Sequence, residues 1–384
     1  HLVENEKYYE LVDKVIVVYL HGGEDLRILP NLYYITLFRK WEYLDEKFFR
    51  KFLFFRKLYL IRKLTKSRRA CYTAVMSIKD DILSRLYAGE ASGEKLAEEL
   101  GVTRAAVWKA IKQLGADGYG IASSRRGYRL VSGDKPSAAG VLHYLGEDMT
   151  VEAHETLPST NDRAKALAES GAPCAAVVAD AQSNGRGRLG RSFVSPRGSG
   201  LYLSALIRPE LSAADCGRIT AYAAVVAARA IEELGGVKAD IKWVNDIYIG
   251  GRKVCGILTE GGFGMENGRL AYAVVGIGVN VHAAAFPPEI ASRATSIEEA
   301  GGRYVDRCEL AACLLRGLAD TEEQVRSGAF VDEYRRRSCV IGKRVTVDGR
   351  YDALVTGIAD DCSLLIDVGG EEKTFSAGEV SLAL

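Results

Sequence analysis

The sequence predicts an α+β chain in three parts: an N-terminal winged helix-turn-helix, a central mixed sheet with helices, and a small C-terminal β barrel. Three patterns predict it. Short amphipathic helices followed by a basic hairpin occupy residues 76–135, apolar strands alternate with helices and glycine-rich loops over 136–337, and short alternating runs divided by DG, DD and GG turns fill 338–384. At 384 residues the chain has room for several domains. An apolar share of 48% and a charged share of 26% fit a globular protein and exclude a disordered one. The net charge of +1 means that any nucleic-acid contact must come from a local basic patch.

The first 75 residues differ from the rest. They are crowded with Tyr, Phe, Lys and Arg, as in KFFRKFLFFRKLYLIRK, and almost lack alanine, and Met76 is the first methionine. The expectation is that native translation starts at Met76 and that residues 1–75 are upstream sequence read in frame; the alternative is a basic aromatic segment for a membrane or nucleic acid.

From Met76, SIKDDILSRLYAGE sets Ile78, Ile82, Leu83 and Leu86 on one helical stripe that ends at Gly89. SGEKLAEELGVTRAAVWKAIKQL reads as two helices broken at Gly101 and capped by Ser92 and Thr103. Val107, Ile111 and Leu114 form the inner face of the second, leaving Arg104, Lys109 and Lys112 outside, where a recognition helix meets the major groove. YGIASSRRGYRLV is a hairpin whose turn presents Arg125 and Arg126 to phosphates. A helical interaction domain with a solvated basic face is the plainer reading of the same pattern.

In the central region LPSTNDRAKALAESGA is a helix capped by Ser159 or Thr160, followed by the strand AAVVADAQ and by Gln182. The loop GRGRLGR, Gly185 to Arg191, then combines glycines that let backbone N–H groups approach an anion with arginines that bind phosphate or carboxylate in a fork. It lacks the GK[ST] ending of a Walker A loop, and taken alone it reads also as an RG-type RNA contact or a mobile basic loop. VKADIKWVNDIYIGGRKVCGILTEGG reads as a strand, a turn at Asn245 and Asp246, and a Gly250–Gly251 hairpin into a second strand; LAYAVVGIGVNV is another strand. Lys242 and Lys253 can each bring a cation to one site, although an ordinary surface lysine is the plainer reading of either one alone. Eight scattered cysteines without a CxxC pair point to a reduced cytoplasmic protein, and no apolar run is long enough to span a bilayer.

In order, STN, QxxGRGRxGR, KWxND, GRKxxGIL and GIGxN resemble the biotin protein ligases, and the resemblance extends over about 310 residues from Met76 to the GEVSL ending. It implies a class II synthetase-like central sheet and an SH3-like C-terminal domain. It further implies ATP-dependent ligation of biotin, through biotinyl-5′-AMP, to a lysine of a biotin carboxyl carrier protein, the acetyl-CoA carboxylase subunit. With it come Mg²⁺ bound to ATP rather than to protein ligands, a homodimer, and repression at the operator DNA of biotin genes. By motif, Ser159, Thr160, Asn161, Gln182, Arg186, Gly187, Arg188 and Lys253 contact biotin, and Arg188, Lys242 and Lys253 carry the chemistry. Asn245, Asp246, Gly256, Gly276, Gly278 and Asn280 fall on the nucleotide side, where strand glycines can equally mark bulges or tight packing. Val244 replaces the family's proline, and HAAAFPPEI offers Phe286 but no tryptophan. A lipoate ligase and a non-catalytic small-molecule sensor are the rivals. The arginine-rich loop and winged helix favour biotin over the first, and the three cations together favour chemistry over the second.

Overall fold

The computed structural model describes residues 18–21, 25–28, 78–146, 149–263 and 269–382. Residues 1–73 and 74–384 form two separate compact units. In the first, β1 (Val18–His21) and β2 (Asp25–Ile28) pair antiparallel; the expectations for the rest of that segment, and for Met76, lie outside the described residues.

The second unit opens with α1 (Ile78–Ala88), α2 (Gly93–Leu100) and α3 (Arg104–Ala116), then the hairpin β3 (Gly120–Ser124) and β4 (Gly127–Ser132). The predicted caps form: Ser92 Oγ accepts from Lys95 N at 3.1 Å and Thr103 Oγ1 from Ala106 N at 3.2 Å. Gly101 takes the left-handed φ of 65° that ends α2. Ile82, Leu83, Leu86, Leu96, Val107 and Leu114 make the core of this module. Ile78 departs from the expected stripe: as the first residue of α1 it is exposed.

Helix α4 (Ala138–Leu145) joins this module to the next, with Ala139 in the first core and Val141 and Leu145 in the second. The central sheet has the order β5-β6-β7-β11-β10-β9-β8. It comprises β5 (Thr150–His154), β6 (Ala175–Ala179), β7 (Gly200–Ile207), β8 (Asp240–Lys242), β9 (Asp246–Ile249), β10 (Arg252–Phe263) and β11 (Leu270–Asn280). Only β5 and β6 are parallel, joined through α5 (Thr160–Glu169), as a parallel pair requires a crossover. Asp246 opens β9 opposite Lys242 rather than standing in the turn, which is left to residues 243–245; the Trp243–Val244 peptide is cis.

Leu203, Ile277 and Ile257 lie side by side on one face of this sheet, in the core that also holds α6 (Cys216–Gly235), whose Ile219–Ala228 stretch is wholly buried. After β11 come α7 (Pro288–Ala291), α8 (Arg307–Leu318), α9 (Thr321–Ser327) and α10 (Val331–Arg337). The C-terminal β module is an antiparallel sheet of order β15-β14-β13-β12-β16. Its strands are β12 (Arg344–Val347), β13 (Tyr351–Ile358), β14 (Leu364–Val368), β15 (Glu371–Phe375) and β16 (Val380–Leu382). Val345, Val355, Ile366 and Val380 belong to the same core cluster as the central sheet, so the two share one interior. No helix among the described residues is long and apolar enough to cross a membrane.

Candidate active site

On the face away from α6, strand register places the chemistry. Tyr202, Gly278, Gly256, Asp246 and Lys242 stand opposite one another across β7, β11, β10, β9 and β8 as a single row. Two residues along, Ser204, Gly276 and Leu258 form a second row, which the period of two turns to the same face. The glycines notch these rows. The Phe193 ring fills the first notch: a Cβ on Gly278 would come within 2.5 Å of Phe193 Cε1, and one on Gly256 within 3.2 Å of Cε2. Phe193 meets Tyr202 edge-on, with centroids 6.4 Å apart.

Asn161 fills the second notch, over Gly276. Its Oδ1 accepts from Ser204 Oγ at 2.6 Å, and its Nδ2 donates to Leu258 O at 3.2 Å and to Glu260 Oε2 at 2.8 Å. The N-terminus of α5 is thereby pinned to three adjacent strands. Ser159 is the N-cap but makes no side-chain capping bond. The amide and hydroxyl of Thr160 both donate to Gln182 Oε1, at 2.8 and 3.2 Å, and Gln182 Nε2 donates to Ser195 Oγ at 2.9 Å.

The GRGRLGR loop closes on itself, Gly187 N donating to Arg191 O at 2.7 Å and Phe193 N to Gly185 O at 2.8 Å. Its three arginines diverge. Arg186 turns to Asp162 and Glu260, Arg188 Nη1 donates to Asn245 Oδ1 at 3.2 Å, and Arg191 forms a two-pronged pair with Glu379 of the C-terminal module. Leu189 at the apex is 73% exposed.

Lys253 reaches this face because of a bulge between Lys253 and Cys255 on β10, which restores it to the side of Gly256. Its Nζ lies 2.7 Å from Asp246 Oδ1. Lys242 is half-buried and, among the described residues, has no carboxylate at ion-pair distance; its Nζ stands 5.6 Å from the Tyr248 ring centroid. Burial pushes its pKa down from the ordinary 10.5, a trend that Asp246 and Glu379 oppose.

One cavity therefore collects every residue assigned from the sequence to biotin, the nucleotide or the chemistry, except Asn280. Asn280 Nδ2 instead donates to Thr295 O at 3.0 Å, at the end of β11. Gly256, Gly276 and Gly278 give close approach to Phe193 and Asn161, the tight-packing alternative of the sequence reading. Phe193, Tyr202, Trp243 and Glu379 also line the cavity, and sequence reasoning missed them. Trp243 lay within KWxND, and Phe193 follows the arginine loop by two positions, so each stood beside a motif without carrying a charge. In the winged module Arg104, Lys109 and Lys112 are exposed on α3, and Arg125 and Arg126 are exposed at the β3–β4 turn.

A cation-lined cavity in a mixed sheet, joined to a basic winged helix and closed by a C-terminal β module, defines an enzyme-like ligand site coupled to a DNA-binding domain. Family models match three stretches: Biotin/lipoate A/B protein ligase family over residues 154–280, HTH domain over 78–129, and Biotin protein ligase C terminal domain over 340–383. The chain is 33% identical over 303 residues to the bifunctional ligase/repressor BirA of Bacillus subtilis, covering 74% of this chain and 92% of that protein. It is 31% identical over 305 residues to BirA of Escherichia coli, covering 76% and 92%. The biotin protein ligase from Aquifex aeolicus in complex with biotin and ATP superposes with a TM-score of 0.52 at 29% identity, over 61% of this chain and 98% of that one. The chain belongs to the biotin protein ligase family, in its bifunctional ligase/repressor form.

Proposed function

We propose that the protein joins biotin to a lysine of a biotin carboxyl carrier protein in two steps and represses biotin genes through residues 76–135, with 136–337 as catalytic domain and 338–384 as C-terminal domain. The biotin carboxylate attacks the α-phosphate of ATP, giving biotinyl-5′-AMP and pyrophosphate; the acceptor lysine then attacks the mixed anhydride and AMP leaves. The observation that carries this reading is the convergence of Arg188, Lys242 and Lys253 on one cavity. Bringing two anions together requires fixed cations that are already in place, so that charge developing on phosphate is met without reorganisation.

Thr160, Gln182 and Asn161 shape the biotin end, and Arg188 spans from the loop to Asn245 across the reacting groups. Lys242 and Lys253 stabilise the carboxylate and α-phosphate, with Asp246 orienting Lys253. Mg²⁺ would arrive on the ATP phosphates and screen their charge, while Asp246 and Glu379 each face a cation of the protein.

Biotin-dependent exchange of pyrophosphate into ATP, followed by a biotin-sized mass increase on one lysine of a carrier domain, tests the ligase. Exchange with lipoate instead, or with neither, refutes it. The protein acts on its operator as a homodimer, and sedimentation in biotin and Mg-ATP should show one; a persistent monomer removes that part of the proposal.

A further inference from the structure

On α3, Arg104, Trp108 and Lys112 stand one helical turn apart and share a face. Trp108 is 53% exposed, and Lys112 Nζ lies 4.3 Å from its ring centroid. The helix is already seated through Val107, Ala110 and Leu114, so the indole is not needed for packing. No acidic residue occurs in α3, and the wing turn adds exposed Arg125 and Arg126. A large apolar face framed by cations matches one occupant well, the major groove of duplex DNA, where phosphates flank the base edges.

The geometry points to Trp108 as a base-reading residue: its indole packs on the 5-methyl group of a thymine while Arg104 and Lys112 bind the flanking phosphates. This deepens the DNA-binding reading above and rests on it. Phosphate contacts supply affinity without sequence information. An apolar surface against the thymine methyl separates thymine from cytosine, which carries none.

The test uses the full chain with biotin and Mg-ATP to select duplexes from a random library, then replaces each thymine of the enriched sequence by deoxyuridine, which pairs alike but lacks the methyl. One or two replacements should weaken the parent protein about tenfold. Trp108→Ala should lose about as much on the thymine duplex, lose nothing further on the deoxyuridine duplex, and keep the parent's salt dependence. Trp108→Phe should retain part of the discrimination, and unchanged affinity for random duplex together with an unchanged helical circular dichroism signal in both variants verifies that the winged module stays folded. Equal sensitivity of parent and Trp108→Ala to every replacement, or an equal loss on random duplex, overturns the assignment and leaves DNA binding standing. If the parent enriches no duplex, the DNA-binding reading falls and this inference with it.

Discussion

Lys242 holds an ammonium half-buried beside the cavity and, among the described residues, has no carboxylate at ion-pair distance, so its charge can meet an incoming anion. Lys242→Ala should therefore lower biotin-dependent pyrophosphate exchange by about 2–4 kcal/mol in the transition state, roughly 30- to 1000-fold. Because burial lowers its pKa, the alkaline limb of the exchange profile should lie below 10.5 in the parent protein and vanish in the variant. Full activity would remove Lys242 from the site. Two of the notch glycines, Gly276 and Gly278, differ in what a methyl group would strike. At Gly276 it meets Asn161, which hydrogen bonds hold on three sides, so Gly276→Ala should lower stability by about 1–3 kcal/mol in denaturant titration. At Gly278 it meets the edge of the Phe193 ring, on a side chain only half-buried, so Gly278→Ala should fold nearly as well while losing affinity for the ligand on its side of the cavity, ATP. The reverse ranking would show that the notches hold the fold rather than the ligand.

At the scale of elements, the end of β6, the end of β11 and the start of α8 meet the segment that leaves the winged module. Arg307, almost fully buried, donates to both carboxylate oxygens of Asp134 at 3.1 and 3.2 Å, to Asp180 Oδ1 at 2.8 Å and to Gly200 O at 3.2 Å. His282 lies between Asp134 at 2.6 Å and Glu298 at 2.9 Å, under the Tyr304 ring. Burial alone would lower the His282 pKa, but bonds to Asp134 and Glu298 outweigh it and raise it above 6.5. Burial would raise Asp134, yet His282 and Arg307 hold it at about 2. A raised imidazole stabilises the fold fully below its unfolded pKa and loses that contribution as pH climbs through the native value. Thermal unfolding of parent and His282→Asn should accordingly differ most below pH 6.5 and converge as pH rises above it; a gap constant with pH would place the effect in packing. Asp134 acts in the opposite window, its contribution lost as pH falls from 3.8 toward 2. None of this joint was legible in the sequence, since Arg307 lies 173 positions from Asp134 and 127 from Asp180. The caps at Ser92 and Thr103, the left-handed Gly101 and the strand Leu270–Asn280 were legible, because each is written in neighbouring residues. The cavity lies between: the motifs named its charged residues apart from Glu379, while register supplied the rows and Phe193 came from packing.

Over the whole molecule, the C-terminal module closes a cavity built by the central sheet, and its hold on that sheet differs from its hold on the loop. Against the sheet it shares a buried core, and Trp243 Nε1 donates to Cys362 O at 2.9 Å. Against the loop it offers Glu379, which pairs with Arg191 at a position where the arginine is 66% exposed. Exposed pairs contribute about 0–1 kcal/mol, so this one adds little to folding. Its consequence is local: Arg186 ties one end of GRGRLGR to α5 and β10, and Arg191 ties the other to the C-terminal module, keeping Arg188 between them over the cavity. Adenylate chemistry depends on keeping water from the mixed anhydride until the acceptor lysine arrives. Glu379→Gln should leave the unfolding temperature almost unchanged and release biotinyl-5′-AMP several-fold faster in a chase experiment, and exchanging the charges as Arg191→Glu with Glu379→Arg should restore part of the retention. If Glu379→Gln loses stability without faster release, the pair belongs to the fold; if neither changes, the loop is held by Arg186 and its own backbone bonds alone.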